Sequence, residues 1–194
     1  IDRLMGFVDL SQTRPLHVVL NAGNGCAGPT VEALAARMPS HITLTSVHGE
    51  PDGSFPNGIP NPLLPEKRQS TTDAVLAHGA DFGVAFDGDF DRCFFFDGEG
   101  NFIEGYYVVG LLARAMLQDA ADGTAIVYDN RMTWATLAAI EEAKGKAVVS
   151  RTGHIFLKRL VREHRAPYGG EMSAHHYFYD FFSCDSGMIP WLLM

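Results

Sequence analysis

Three carboxylates alternate in the segment Asp87-Gly88-Asp89-Phe90-Asp91-Arg92, directly after the apolar run Phe82-Gly83-Val84-Ala85-Phe86. A tight, glycine-containing turn lets side chains spaced in this way converge on one point, and hard oxygen donors suit Mg²⁺. Coordination positions left open on such an ion would take phosphate oxygens or water. Arg92, next in the chain, carries a guanidinium fork that matches a phosphate beside the metal. A calcium-binding EF-hand loop would place glycine at Arg92 and glutamate at Gly98, so it fails twice. A solvated acidic turn would account for a single D-x-D pair, but three aspartates abutting a strand and followed by arginine favour the metal.

A second segment suggests different chemistry. Gly23-Asn24-Gly25-Cys26-Ala27-Gly28 satisfies G-x-G-x-x-G between an apolar run and a helical one. Glu50 follows roughly twenty residues on, where the ribose-binding acid of an NAD(P)-dependent oxidoreductase would stand. Against a dinucleotide site, a proline-rich run at 51–65, containing Pro56, Pro60 and Pro62, interrupts the strand–helix–strand continuation. Such a site also leaves the aspartate loop and the segment Gly169-Gly170-Glu171-Met172-Ser173 without a role. The adjacent His175 and His176 invite a zinc reading, yet neighbours on a strand point to opposite faces.

Ligands of open α/β sheets gather at the carboxyl ends of strands, so the surrounding elements decide what these segments can do. Hydrophobic patterning places strands at 17–21, 42–47, 82–86 and 93–96, the last followed by the hairpin turn Asp97-Gly98-Glu99-Gly100. Helices are expected at 30–38, entered through Pro29, and at 66–78. The rhythm then repeats, with helices at 106–117, 133–144 and 153–164 and strands at 125–128, 147–149 and 166–168. The aromatic run 177–182 reads as a core-packing strand rather than a carbohydrate platform. The fold class is α/β: two similar α/β domains, 1–103 and 104–194, each a small mixed sheet packed between helices.

Composition narrows the function classes. With 46% hydrophobic and 20% charged residues the chain is of ordinary globular make-up, and no apolar run approaches a membrane span. A net charge of -8 argues against nucleic acid but leaves room for an anionic substrate beside a metal. Cys26, Cys93 and Cys184 form neither a disulfide framework nor a zinc ribbon. They are expected as mostly buried small hydrophobes in a reducing, cytoplasmic setting. The opening Ile1-Asp2-Arg3-Leu4-Met5 and the closing apolar run from Met188 read as cuts through a longer chain.

Asp87 to Arg92 resembles the metal-binding loop, of form DGDxDR, of the α-D-phosphohexomutases of phosphomannomutase and phosphoglucomutase type. Gly169-Gly170-Glu171-Met172-Ser173-Ala174-His175-His176 resembles that family's sugar-binding loop, built on a glutamate, a serine and a histidine. The stretch from Asn21 to Pro29 is similar to the opening of the family's second domain, and Phe55 to Leu63 to its proline-rich linker. Arg151-Thr152-Gly153-His154 is similar to a third-domain segment that offers a histidine to substrate phosphate. The five segments fall in family order.

The resemblance implies a Mg²⁺-dependent isomerase in which a phosphoserine donates its phosphoryl group to a hexose phosphate. The bound hexose 1,6-bisphosphate then turns over and returns its other phosphoryl group to the serine. Asp87, Asp89 and Asp91 would hold the metal, and Arg92 would be the catalytic contact to the transferring phosphoryl. Glu171 and Ser173 would hydrogen-bond sugar hydroxyls, while His175, His154 and Arg131 would line the substrate-phosphate side. The substrate sugar would be mannose or glucose. The wording around His175 to Phe178 and Cys184 to Met188 is nearest to mannose-using bacterial relatives. The family's phosphorylated serine-histidine-asparagine-proline loop and its closing phosphate-binding domain are not among these residues. The partners implied are therefore the N- and C-terminal domains of a parent protein, and the 194 residues alone are expected not to catalyse. Taken as a complete product, they would instead be a non-catalytic phosphosugar- or metal-binding module.

Overall fold

The computed structural model describes residues 1–132 and 134–194. The chain divides into two compact units, Ile1–Ile103 and Glu104–Met194. None of its helices is long and apolar enough to cross a membrane, among the described residues.

In the first unit a one-turn helix α1 (Asp2–Met5) precedes strand β1 (Leu16–Asn21), helix α2 (Ala27–Ala35) and strand β2 (Ile42–Val47). A 3₁₀ turn (Pro65–Lys67) leads into helix α3 (Gln69–His78), then β3 (Phe82–Phe86), β4 (Cys93–Asp97) and β5 (Phe102–Ile103). The sheet order is β2-β1-β3-β4-β5, with β1 parallel to both neighbours and β4 and β5 antiparallel. β1 lies between two parallel neighbours, so its apolar residues run without alternation: Val18, Val19 and Leu20 are all buried. Val19, Val75, Ala80, Ala85 and Phe96 form one core cluster, in which α3 lies on the sheet. Gly83 permits that approach, since a Cβ there would stand 2.5 Å from Val75 Cγ2.

The second unit runs α4 (Gly105–Leu117), β6 (Ala125–Asp129), α5 (Trp134–Glu142), β7 (Lys146–Ser150) and α6 (His154–His164). It closes with β8 (Tyr168–Gly170), β9 (His176–Phe178), β10 (Cys184–Asp185) and the buried helix α7 (Met188–Leu193). Its order, β10-β9-β8-β6-β7, reproduces the first sheet strand for strand, including the antiparallel pair at one edge. Thus β6 corresponds to β1, β7 to β2 and β8 to β3. α6 packs through Leu157 and Val161 against Val127 and Tyr177.

Several elements differ from the sequence expectation. α2 begins at Ala27 rather than residue 30, so Pro29 sits inside the first turn, where its missing N–H has no helical partner to lose. Between 66 and 78 the chain makes a 3₁₀ turn before α3. Thr133, where the sequence would start α5, lies outside the described residues. The strand expected at 166–168 is Tyr168–Gly170, so two glycines of the loop belong to the ladder, pressed close by Val161 and Val109. The aromatic run leaves the sheet after Phe178: Tyr177 and Phe178 are fully buried, but Phe182 is 75% exposed in a turn. Of the three cysteines only Cys93 is buried; Cys26 is exposed at the start of α2, and Cys184 is half-buried on the edge strand β10.

Candidate functional site

In an order 2-1-3 the chain leaves adjacent strands β1 and β3 for opposite sides, and the crevice at their carboxyl ends is where α/β sheets place ligands. Asp87 follows β3 at that point. One carboxylate oxygen from each of Asp87, Asp89 and Asp91 lies within 4.8 Å of the others. Asp87 is buried, Asp89 exposed and Asp91 half-buried, so the cluster opens outward from a fixed inner carboxylate. Arg92 fixes that carboxylate: its Nε donates to Asp87 Oδ2 at 2.7 Å and its amide to Oδ1 at 3.2 Å. Phe90 takes a φ of 50°, a left-handed turn that throws the alternate side chains to one side. All-carboxylate donors at this spacing fit a hard divalent cation such as Mg²⁺ and fit soft metals poorly.

The glycine turn of the first unit is a packing device. A Cβ on Gly28 would stand 1.7 Å from Gly49 O, one on Gly25 2.6 Å from Gly88 O, and one on Gly23 2.5 Å from the Pro60 ring. Its amides are occupied within the chain: Gly23 N–H donates to Asn21 Oδ1, Asn24 N–H to His48 O, Gly25 N–H to Ala22 O and Cys26 N–H to Gly88 O. Donors that would cradle a pyrophosphate are therefore engaged, and the proline-rich loop covers the turn. The dinucleotide reading fails on both counts.

The second unit builds its loop at the equivalent place, after β8. Glu171 is 2% exposed. Gly153 N–H donates to its Oε1 at 2.7 Å, Tyr177 Oη to its Oε2 at 2.8 Å, and His175 Nδ1 stands 3.3 Å from Oε2. Burial pushes its pKa upward, but the contacts from His175, Gly153 and Tyr177 outweigh burial and hold it at about 2. A carboxylate offers about four lone-pair sites, so one remains for a further donor. Ser173 Oγ lies 3.1 Å from His175 Nδ1, and Ala174 between them holds a left-handed φ of 69°. His154 opens α6 beside Gly153 and is exposed.

Arg131 is joined to the same loop through a residue that sequence reasoning misses. Asp129, fully buried at the end of β6, accepts from Arg131 Nε, Arg131 Nη2 and Met172 N–H. Its only sequence signal is an acid closing an apolar strand and followed two residues on by arginine. Sequence reasoning also misses the polar role of Tyr177: it is the core residue that its pattern announces, but its hydroxyl ends on Glu171. The two histidines do part company: His175 faces Ser173 and Glu171, while His176 is fully buried with Nδ1 2.7 Å from the Tyr168 hydroxyl. Burial, then the charge of His175, carry the His176 pKa down to about 3.

Comparison with known proteins decides the lineage. Residues 1–100 match the family described as phosphoglucomutase/phosphomannomutase, alpha/beta/alpha domain II, and residues 104–194 match its domain III. The chain belongs to the phosphoglucomutase/phosphomannomutase family. It is 56% identical to the phosphomannomutase of Salmonella typhimurium, over the whole of this chain and 43% of that protein. It is also 56% identical to a protein of Xanthomonas campestris described as phosphohexose mutases, again over 43% of that protein. The chain thus spans less than half the length of these family relatives. A crystal structure of a family protein from Burkholderia thailandensis superposes with a TM-score of 0.86 at 34% identity, covering 98% of this chain and 41% of that one. At 15% identity, and so for the fold alone, an N-acetylphosphoglucosamine mutase of Aspergillus fumigatus, in complex with GlcNAc-6P and magnesium, has a TM-score of 0.69 and covers 99% of this chain and 47% of that one.

Proposed function

We propose that this chain is the metal-binding and sugar-reading part of a phosphohexomutase that interconverts hexose 6-phosphate and hexose 1-phosphate, with mannose the favoured sugar. The convergence of three aspartates at the β1/β3 switch point carries this reading. Asp87, Asp89 and Asp91 would hold Mg²⁺. When bound, the ion neutralises charge that develops on the transferring phosphoryl oxygens. Arg92, anchored through Nε to Asp87, keeps its terminal nitrogens for the same phosphoryl group.

In the second unit the remaining lone pair of Glu171, together with Ser173 Oγ, accepts from sugar hydroxyls. His175, His154 and Arg131 offer donors to the substrate phosphate. The phosphoryl group passes from a phosphoserine to a sugar hydroxyl, and the other phosphoryl of the 1,6-bisphosphate returns to that serine. The serine and the remaining phosphate-binding groups belong to other parts of the parent protein, whose compartment is the cytoplasm. The relatives' names and the similarity to two whole domains of the family support the reading.

An amide NMR titration of the 194-residue chain tests it. Mg²⁺ is expected to shift Asp87 to Arg92, and glucose 1,6-bisphosphate to shift Glu171 to His175. No change at either segment would overturn the proposal. A coupled assay is expected to show no mutase turnover by these residues alone.

A further inference from the structure

The two units solve one local problem with different residues at the same topological position. At the end of β1, Asn21 Oδ1 accepts the amide two residues on, Gly23 N–H, at 2.9 Å. At the end of β6, Asp129 Oδ1 accepts the amide two residues on, Arg131 N–H, at 2.8 Å. A neutral asparagine therefore suffices for this turn, because only one oxygen of the side chain is used in it. Asp129 instead places a carboxylate at zero exposure, which is costly unless something needs it there. Its second oxygen shows what does. Oδ2 accepts Arg131 Nε at 3.1 Å and Nη2 at 2.5 Å, and also Met172 N–H at 3.1 Å, from the middle of the sugar loop.

We infer that Asp129 is a positioning residue that holds the Arg131 guanidinium and the Glu171–Ser173 backbone in one fixed relation, so that phosphate and sugar hydroxyls are gripped at a set spacing. The inference rests on the reading of Arg131 as a substrate-phosphate contact. The Arg131 side chain is 43% exposed, with Nη1 outside the pairing, so a guanidinium clamped on one edge still presents donors to an anion. Without the clamp a flexible arginine and a mobile loop must be ordered by each ligand that binds, at the expense of affinity.

A double-mutant cycle on the affinity for glucose 1,6-bisphosphate, measured by calorimetry, tests this. Arg131→Ala and Asp129→Asn are each expected to weaken binding about tenfold or more, and the double variant to fall well short of the product of the two losses, keeping only the part that Asp129 exerts through Met172. Additive losses would mean that Asp129 acts through general structure, and would overturn the inference. An Arg131→Ala variant that binds normally would instead remove the phosphate-contact reading beneath it. Asn21 shows that asparagine can make the turn, so Asp129→Asn is expected to fold. A second readout does not depend on binding. The Arg131 Nε–H proton resonance, slowly exchanging and shifted by its carboxylate partner, is expected to collapse into the free-arginine envelope in Asp129→Asn. Persistence of that resonance would also overturn the inference.

Discussion

Tyr177 lies opposite Gly169 in the β8–β9 ladder, and its hydroxyl reaches along the shared face to Glu171 Oε2 at 2.8 Å. Gly169 and Glu171 are two residues apart, so this is a diagonal cross-strand contact. A core aromatic thus doubles as the hydrogen-bond donor that holds a buried carboxylate charged. Tyr177→Phe keeps the ring and deletes the donor. It is expected to raise the Glu171 pKa toward the ordinary carboxylate range, to cost about 1–2 kcal/mol of stability, and to weaken sugar-phosphate binding. Carbon-detected NMR of the Glu171 carboxyl, with chemical denaturation, checks the first two.

The aspartate loop separates metal affinity from folding. Asp89 is exposed at the mouth of the loop, whereas Asp87 is buried and paired with Arg92. Asp89→Asn is expected to lower Mg²⁺ affinity by about 10–100-fold while leaving the melting temperature unchanged. Asp87→Ala is expected to lower both, because it strands the half-buried Arg92. Calorimetric titration with Mg²⁺ alongside thermal melts distinguishes the two; equal behaviour of the two variants would contradict the geometry.

Acid sensitivity follows from two depressed pKa values. His176 sits at about 3 in the folded chain against an ordinary 6.5, so the unfolded state binds more protons between those values. Its contribution is complete above pH 6.5 and is lost as pH falls toward 3, by about 1.4 kcal/mol per pH unit. Glu171, at about 2 against an ordinary 4.5, adds a loss of the same sign below pH 4.5. Urea denaturation from pH 7 to 4 should show the slope beginning near 6.5, and His176→Gln should flatten it above pH 4.5.

Glycine substitutions test whether the first turn packs or binds. Gly28→Ala would drive a methyl to within 1.7 Å of Gly49 O and is expected to destabilise by more than about 3 kcal/mol. Gly25→Ala would push on Gly88 instead, at 2.6 Å, and is expected to weaken Mg²⁺ binding along with stability. NADH is expected to leave the amide spectrum of Gly23 to Gly28 unchanged; a shift there would revive the dinucleotide reading.

What depends on neighbours in the chain is legible in the sequence. The strands Ile42–Val47 and Phe82–Phe86 can be read to the residue because short apolar runs bounded by turn formers admit few alternatives. The aspartate loop is legible because its three carboxylates and its turn are contiguous. What escapes depends on pairing across the sheet. Asp129 meets Met172 over 43 residues, and no local pattern announces that contact. Tyr177 looks like core because it is core; only the strand register reveals where its hydroxyl ends. The glycine turn misleads for a related reason: tight backbone approach demands the same residue whether the neighbour is a pyrophosphate or another stretch of this chain.

The contact between Gly25 and Gly88 bears on how such a chain can diverge. The turn that starts α2 and the loop that carries the aspartates share a surface with no side chain between them, and the Cys26 amide is bonded to Gly88 O at 2.9 Å. At Gly25 a bulkier residue must displace Gly88, whereas a Cβ on Gly88 itself would meet only Phe55 and Pro60, at 3.7 and 4.0 Å. The constraint therefore runs one way: the start of α2 is bound to the backbone of the aspartate loop, while the loop keeps room to vary on its side away from Gly25.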